Sequence, residues 1–183
     1  MALREEECLK LLEQHNVPEH IIEHSRVVHR LALSLCRALN GNGEKLDCTR
    51  VAAGSLLHDI AKMESLGTGE NHSRAGAALL SRLGFPAVAE IVRQHVVLDG
   101  GIPQGQITES ELVHYADKRV LHTRVVSLRE RFRDLKERYE KSPEALSWLE
   151  NLEDQSFKLE ERIFQRLPIK PEFLDSFSSL EGS

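Results

Sequence analysis

The stretch VAAGSLLHDIAK, residues 51–62, decides how this chain folds. Its apolar residues lie on nearly all sides of a helix with about 3.6 residues per turn, which predicts a central, buried helix over residues 48–61. Asp47 is a suitable N-terminal cap for this helix. The helix ends in His58 and Asp59, so an imidazole and a carboxylate are expected at the end of the most buried element.

Helical spacing also dominates the sequence on both sides of this stretch. Clusters of asparagine, glycine and proline interrupt the apolar stripes and mark the ends of the helices. The sequence therefore predicts an all-α fold, a bundle of about six core helices followed by a C-terminal helical pair. The core helices are expected at residues 3–15, 18–39, 48–61, 72–83, 86–97 and 108–121, and the pair at 123–140 and 144–166. Loops are expected around Gly67 and Gly69, and at residues 99–106.

Two further polar residues lie on helix faces that should point inward. His24 follows Ile21 by three residues and precedes Val28 by four, so it belongs to their apolar stripe. Asp117 follows Val113 by four residues in the same way. An ionised carboxylate on a buried face is costly unless a partner compensates it, and a metal ion would do so. Mixed imidazole and carboxylate ligation suits Fe, Mn, Co, Ni or Zn better than Ca or Mg.

Each of these residues taken alone has a simpler interpretation. A single histidine on an apolar stripe is more often a hydrogen-bonded core residue than a metal ligand, and a lone aspartate after a helix is more often a capping or loop group. The combination favours a metal site, because all four polar residues fall on inward faces of helices that are otherwise apolar.

Three segments, EHSRVVHRLALSLCRAL, AAGSLLHDIAK and ELVHYADK, resemble the HD-domain phosphohydrolases. The resemblance spans about residues 18–121, and the nearest match is to small bacterial HD proteins with an HDxxK and an ADK motif. It implies a helical HD fold with metal ligands at His24, His58, Asp59 and Asp117. Asp59 would bridge the ions if two are bound.

Two more histidines, His72 and His95, resemble the extra ligands of the dinuclear HD branches, which implies two divalent ions. Two such branches differ from this chain in detail. The HD-GYP phosphodiesterases carry His-His where this chain has Gln94 and His95, and Gly-Tyr-Pro where it has Gly-Ile-Pro at 101–103. The hydrolases of diadenosine tetraphosphate continue the ADK motif with Glu-Pro-x-x-Arg, whereas Arg-Val-Leu follows here at 119–121. Both differences disfavour the substrates of those branches.

Residues around the ligands have expected roles in catalysis and substrate binding. Asp59 and Lys62 are the expected catalytic residues, and Lys62, at the lysine position of HDxxK variants, is also expected to contact a substrate phosphate. Arg26 and Lys118 flank ligands and are further candidates for substrate binding, with a surface or salt-bridging role as the alternative. His114 lies three residues before Asp117, which would allow it to face the site, but an exposed helix position is expected.

These features predict a metal-dependent phosphohydrolase that cleaves a phosphate ester or anhydride of a nucleotide or related small molecule with metal-activated water. The alternative is a non-catalytic nucleotide-binding or regulatory module that keeps the metal site. The predicted metal-binding domain comprises residues 1–121, and residues 122–183 form a C-terminal extension. Its apolar residues would either cover the core or form a homodimer interface.

Charge and composition argue against several other classes of protein. The net charge is −5 and no long run of lysine and arginine offsets it, which disfavours a dedicated nucleic-acid-binding protein. Acidic residues interleave the basic segment 129–133, so a solvated, salt-bridged helix face is expected there. The cysteines at 8, 36 and 48 form no CxxC pair and are expected to be reduced. No segment is typical of a secretory signal or a membrane span, which predicts a cytoplasmic protein.

Overall fold

The computed structural model describes residues 3–100, 105–139 and 142–174. Within these ranges the chain forms nine α-helices and one small β-hairpin, so the predicted all-α fold is confirmed. No helix there has the length and apolar character needed to cross a membrane. In chain order the elements are α1 Glu5–Gln14, α2 Glu19–Gly41, α3 Cys48–Leu57, α4 Lys62–Thr68, α5 His72–Arg82, α6 Pro86–Gln94, α7 Glu109–Lys118, β1 Val120–Leu121, β2 Arg124–Val125, α8 Leu128–Tyr139 and α9 Pro143–Phe164.

Helix α3 is central, because it packs against α1, α2, α6 and α7. The side chain of Asp47 accepts hydrogen bonds from the backbone N–H groups of Thr49 and Arg50, which fixes the start of the helix. Gly54 allows α6 to approach closely, since a Cβ at this position would lie only 2.5 Å from Cγ2 of Ile91. This close contact sets the relative position of the C-terminal ends of α3 and α6.

Buried apolar side chains form two clusters that α3 joins. One cluster fills the space between α1, α3, α5 and α6. The other contains Leu31 of α2 together with Phe132 of α8 and Leu159 of α9. The C-terminal pair therefore shares a hydrophobic core with the helices before it. The division of the chain at residues 121 and 122 stays a prediction.

The structure differs from the predicted elements at the ends of two helices. Helix α3 ends at Leu57, four residues earlier than expected, and the predicted loop after it contains the short helix α4. Gly69, at φ +73°, ends α4 in the left-handed conformation that favours glycine. The sixth predicted helix stops at Lys118 and continues into an antiparallel hairpin. The loop expected at 99–106 lies partly outside the described residues.

The expectation of reduced cysteines is wrong for two of the three. A disulfide joins Cys36 near the end of α2 to Cys48 at the start of α3, with Cα atoms 5.9 Å apart. The short connection between these helices brings the two residues side by side, although they are 12 residues apart in sequence. Cys8 is a free, buried thiol, and burial raises its pKa to about 12. That thiol therefore stays protonated at neutral pH.

Candidate metal centre

His58 and Asp59 lie in the turn that follows α3, and both side chains are buried. His58 is fully buried, and its Nδ1 donates a hydrogen bond to the carbonyl of Ser55 at 2.7 Å. Its Nε2 lies 3.4 Å from Oδ2 of Asp59 and 3.5 Å from Oδ1 of Asp117. Among the described residues this Nε2 has no hydrogen-bond partner. A buried nitrogen without a partner, facing two carboxylates, is placed as a metal ligand would be.

His24 reaches the same carboxylates from α2. Its Nδ1 donates to the carbonyl of His122 at 2.7 Å, and its Nε2 lies 3.1 Å from Oδ1 of Asp117. When Nδ1 of a neutral imidazole carries the proton, Nε2 has only a lone pair. A lone pair facing a carboxylate oxygen needs a cation between them, either a proton or a metal ion.

A second pair of histidines faces the other oxygen of Asp59. Nε2 of His72 lies 3.3 Å from Oδ1 of Asp59, and Nε2 of His95 lies 3.6 Å from the same oxygen. The two Nε2 atoms are 3.1 Å apart. Nδ1 of His95 donates to the carbonyl of Val92, so its Nε2 also points to the site with a lone pair when the ring is neutral.

Local sequence explains how each of these histidines reaches the centre. Asn71 caps α5 through hydrogen bonds from the N–H groups of Ser73 and Arg74, and this fixes His72 as the first residue of the helix. His95 directly follows the last residue of α6. Helices α5 and α6 pack against each other, so the start of one meets the end of the other.

The ligand atoms therefore form two groups that share Asp59. One group contains His24, His58 and Asp59, and the other contains Asp59, His72 and His95. Within each group the ligand atoms lie within 4.8 Å of one another. Asp117 adjoins the first group through the short distances given above. The structure thus brings all six predicted ligand residues together, and both groups contain Asp59.

Electrostatics hold the carboxylates ionised inside the protein. Burial alone would raise the pKa of Asp59, but the charge of His58 outweighs it and holds that pKa well below its usual value. The pKa of Asp117 is also lowered against the effect of burial, chiefly by the charge of Lys118. Burial would lower the pKa of His58, but the charges of the two carboxylates outweigh it and raise that pKa to about 10. Both carboxylates are therefore in the ionised form that binds a cation.

The donor set fits a divalent metal ion. It combines imidazole nitrogens with carboxylate oxygens, a mixture that first-row transition metals and zinc accept. Three of the four histidines use Nδ1 to donate to a backbone carbonyl, which orients Nε2 towards the centre in advance. A bound ion would satisfy the unpartnered Nε2 of His58.

The three predicted cationic residues lie in different surroundings. Lys62 is half-exposed, and its Nζ donates to Oδ2 of Asp59 at 2.6 Å. Lys118 is buried, and its Nζ donates to Oδ2 of Asp117 at 2.9 Å and to the carbonyl of His95 at 3.1 Å. Arg26 is exposed on α2. The substrate-binding roles of all three stay predictions.

His114 is a residue near the site that sequence reasoning missed. The prediction of an exposed position is wrong, since His114 is 1% exposed and its Nδ1 donates to the carbonyl of His95 at 2.9 Å. Burial lowers its pKa to about 3, so the ring stays neutral. His114 therefore supports the backbone that carries His95. Its position three residues before Asp117, on the same helix face, was the signal for this role.

A cavity of about 520 Å³ opens beside His24, Asp59 and Lys62. This volume lies within the range of about 300–1,000 Å³ typical of small-molecule sites. Its apolar lining comes from Ile21, Met63, Leu66 and Leu121. Its remaining cations are Arg131 and Arg138 of α8, and the sequence had indicated only a solvated face for that helix. Their seven-residue spacing, which places both on one helix face, was the available signal.

Comparison with known proteins identifies the family. The HD-domain family model matches residues 21–121. The chain belongs to the HD-domain family. These HD domains form a superfamily of metal-dependent phosphohydrolases. All six candidate ligands of this HD domain lie within the matched segment, whereas α8 and α9 lie beyond it.

Among curated proteins, this HD-domain chain is similar to two archaeal proteins named tRNA (cytidine(56)-2'-O)-methyltransferase. The one from Thermoplasma volcanium is 33% identical over 93 residues, which are 50% of this chain and 25% of that protein. The one from Picrophilus torridus is 27% identical over 141 residues, which are 69% of this chain and 39% of that protein. The chain thus spans well under half the length of these relatives. No solved structure matches the chain.

Proposed function

We propose that this HD-domain protein is a phosphohydrolase that cleaves a phosphate ester or anhydride of a nucleotide or related small molecule. One observation carries the proposal. Two groups of ligand atoms share Asp59, and they lie beside a cavity that also contains a lysine next to that carboxylate. Membership of the HD-domain family supports the same chemistry.

The proposed cofactor is a pair of divalent ions, Fe, Mn, Co, Ni or Zn, held by the two groups. When bound, such ions supply Lewis acidity that activates water and stabilises charge on a phosphoryl group. His24, His58 and His95 keep their Nε2 atoms directed at the centre because backbone carbonyls hold their Nδ1 protons. Lys118 holds one oxygen of Asp117 and leaves the other towards His24.

The remaining residues of the cavity have proposed roles in substrate binding. Lys62 is placed to neutralise a phosphoryl oxygen next to Asp59, and burial does not remove its charge because Asp59 raises its pKa. Met63 and Leu66, apolar side chains of the same helix α4, also line the cavity and are suited to cover a base or another apolar part of the substrate.

The test is hydrolysis by protein that has been chelated and then reloaded with Mn²⁺, Co²⁺ or Zn²⁺. A panel of p-nitrophenyl phosphate, nucleoside mono-, di- and triphosphates and tRNA covers the substrate classes, with tRNA included because of the names of the relatives. We expect turnover of at least one small phosphorylated compound, which chelation removes and metal restores. Asp59→Asn should lower it by at least about 100-fold.

A matched control is Asp154→Asn, the same chemical change at an exposed position on α9 where the carboxylate pairs only with Lys158 among the described residues. This variant should keep wild-type turnover. Turnover that survives Asp59→Asn, or a reloaded protein that hydrolyses nothing in the panel, would contradict the proposal.

A second candidate function is a nucleotide-binding module without turnover. The observation that favours it is that the named activity of the curated relatives is methyl transfer, although the part of each relative that matches this chain covers only a fraction of that protein. In that case members of the same panel raise the melting temperature of the metal-loaded protein, and no product forms.

A further inference from the structure

Helix α8 contributes two guanidinium groups to the cavity beside the metal centre, although it lies outside the segment that matches the HD-domain family. Arg131 and Arg138 are seven residues apart and line the same cavity as Lys62. Lys62 already donates a hydrogen bond to Asp59, so its positive charge is paired with a residue of the metal centre. The two arginines are further cations of the same cavity, and both come from α8.

One carboxylate serves both arginines. Nη1 of Arg131 donates to Oδ2 of Asp134 at 3.2 Å, and Nη2 of Arg138 donates to Oδ1 of the same residue at 2.8 Å. Nε of Arg131 is buried and has no hydrogen-bond partner among the described residues. Two positive charges therefore face one negative charge, and guanidinium N–H donors remain for a further acceptor.

The other charged side chains that line the cavity do not cancel the excess positive charge of Arg131 and Arg138. Asp59 is paired with Lys62 and belongs to the metal centre. Glu23 is an exposed lining residue on α2, and no ion pair joins it to either arginine within the described ranges. A buried or half-buried guanidinium with spare donors is suited to bind phosphate.

The hairpin formed by β1 and β2 connects Arg138 to the metal centre through His122. His122 lies between β1 and β2 at φ +55°, a conformation rare outside glycine and asparagine. Its carbonyl accepts the hydrogen bond from Nδ1 of His24, and its side-chain Nε2 lies 3.2 Å from Nη2 of Arg138. His122 therefore contacts both a candidate metal ligand and an arginine of α8. The metal centre and this arginine are thus close enough for one small molecule to contact both.

We propose that Arg131 and Arg138 form a second phosphate site, which binds a phosphate group of the substrate other than the one cleaved at the metal centre. This inference rests on the proposed hydrolase function and narrows its substrate class to compounds that carry at least two phosphate groups. The apolar wall formed by Met63 and Leu66 lies in the same cavity and suits the organic part of such a compound.

The test compares ligands that differ by one phosphate. Isothermal titration of the metal-loaded 183-residue chain with adenosine 5'-monophosphate, adenosine 5'-diphosphate and adenosine 3',5'-bisphosphate gives the three dissociation constants. We expect at least one of the doubly phosphorylated ligands to bind at least about tenfold more tightly than the monophosphate, because hydrogen bonds to charged groups contribute at about this level. Arg131→Gln with Arg138→Gln should remove that ratio.

Arg124→Gln is the matched control, since Arg124 is an exposed arginine of the neighbouring strand β2 that pairs with Glu130. It should keep both the ratio and the turnover of the wild type. If the double variant does not fold, as judged by circular dichroism, the single variant Arg138→Gln is used, and the ratio should then fall by at least about threefold.

The possible results separate this inference from the proposed function. A wild-type protein that binds all three ligands equally, or arginine variants that keep the ratio, would overturn the second phosphate site even if hydrolysis is observed. An arginine-dependent preference in a protein that hydrolyses nothing in the panel would support the site and contradict the hydrolase.

Discussion

Gly54→Ala tests whether the close contact between α3 and α6 sets the geometry of the metal centre. The added Cβ would lie 2.5 Å from Cγ2 of Ile91, whereas ordinary van der Waals contacts begin at 3.4 Å. The two helices must therefore separate locally by about 1 Å. His95 follows Ile91 by four residues, about one helical turn, so it moves with this part of α6. Its Nε2 now lies 3.6 Å from Oδ1 of Asp59.

The expected magnitudes follow from this displacement. Overpacking a core costs about 1–3 kcal/mol. In a chain of this size each kcal/mol lowers Tm by about 2–4 °C, so Tm should fall by about 2–12 °C. Metal–ligand distances tolerate changes of about 0.2 Å, so the group that contains His95 should lose its ion. Thermal melts and elemental analysis of the reloaded protein measure the two effects.

Gly67→Ala provides the control, because nothing lies within 4 Å of a Cβ at that position in α4. We expect its stability to be unchanged or raised by up to about 1 kcal/mol. The Gly54→Ala change should also cost less in an Ile91→Ala background, since the clashing methyl group is then absent. A Gly54→Ala variant with the Tm and metal content of the wild type would refute the link between this contact and the site.

Three other perturbations have defined outcomes. Metal affinity should fall about tenfold for each pH unit between pH 9 and pH 7. Burial would lower the pKa of His58, but two carboxylates raise it to about 10, and a bound ion displaces the proton of that imidazole. Competition with a chelator measures the affinity, and an affinity that does not change with pH would contradict this expectation. Arg119→Leu removes the buried guanidinium that lies 3.0 Å from the carboxylate of Glu160 and leaves that carboxylate without this partner. The free energy of unfolding, measured in urea, should fall by about 3–5 kcal/mol. A loss under about 1 kcal/mol would refute the importance of this ion pair. Glycine in His122→Gly adopts φ +55° readily and keeps the backbone carbonyl that accepts the hydrogen bond from His24. The metal content, measured by elemental analysis, should therefore match that of the wild type. Loss of an ion would show that the side chain of His122 is needed.

Helical periodicity was enough to predict the all-α fold and to place four of the candidate ligands, His24, His58, Asp59 and Asp117, on inward faces. Each of them interrupts an apolar stripe or ends a buried helix, and burying such groups is costly without a partner. His72 and His95 depended on the family resemblance, because neither forms a pattern with the HD pair in the sequence alone. The structure places both against the second oxygen of Asp59.

Other features depend on contacts between distant residues and leave little trace in the sequence. Helix α4 has seven residues, too few for a clear periodic signal, and its glycines favoured a loop. Two-residue strands give no alternation to detect. The disulfide requires the side-by-side position of Cys36 and Cys48, which only the packed helices create. The role of α8 at the cavity was missed because its acidic residues indicated a solvated face.

Counting the ions bound by the wild type and by His72→Ala tests the shared-ligand centre most directly. Both proteins are reloaded with Zn²⁺ or Mn²⁺, desalted and measured by elemental analysis. Two groups sharing Asp59 predict two ions per chain in the wild type and one in His72→Ala, because the group with His24 and His58 stays complete. A wild type without bound metal, or the same count in both proteins, would contradict a dinuclear centre bridged by Asp59.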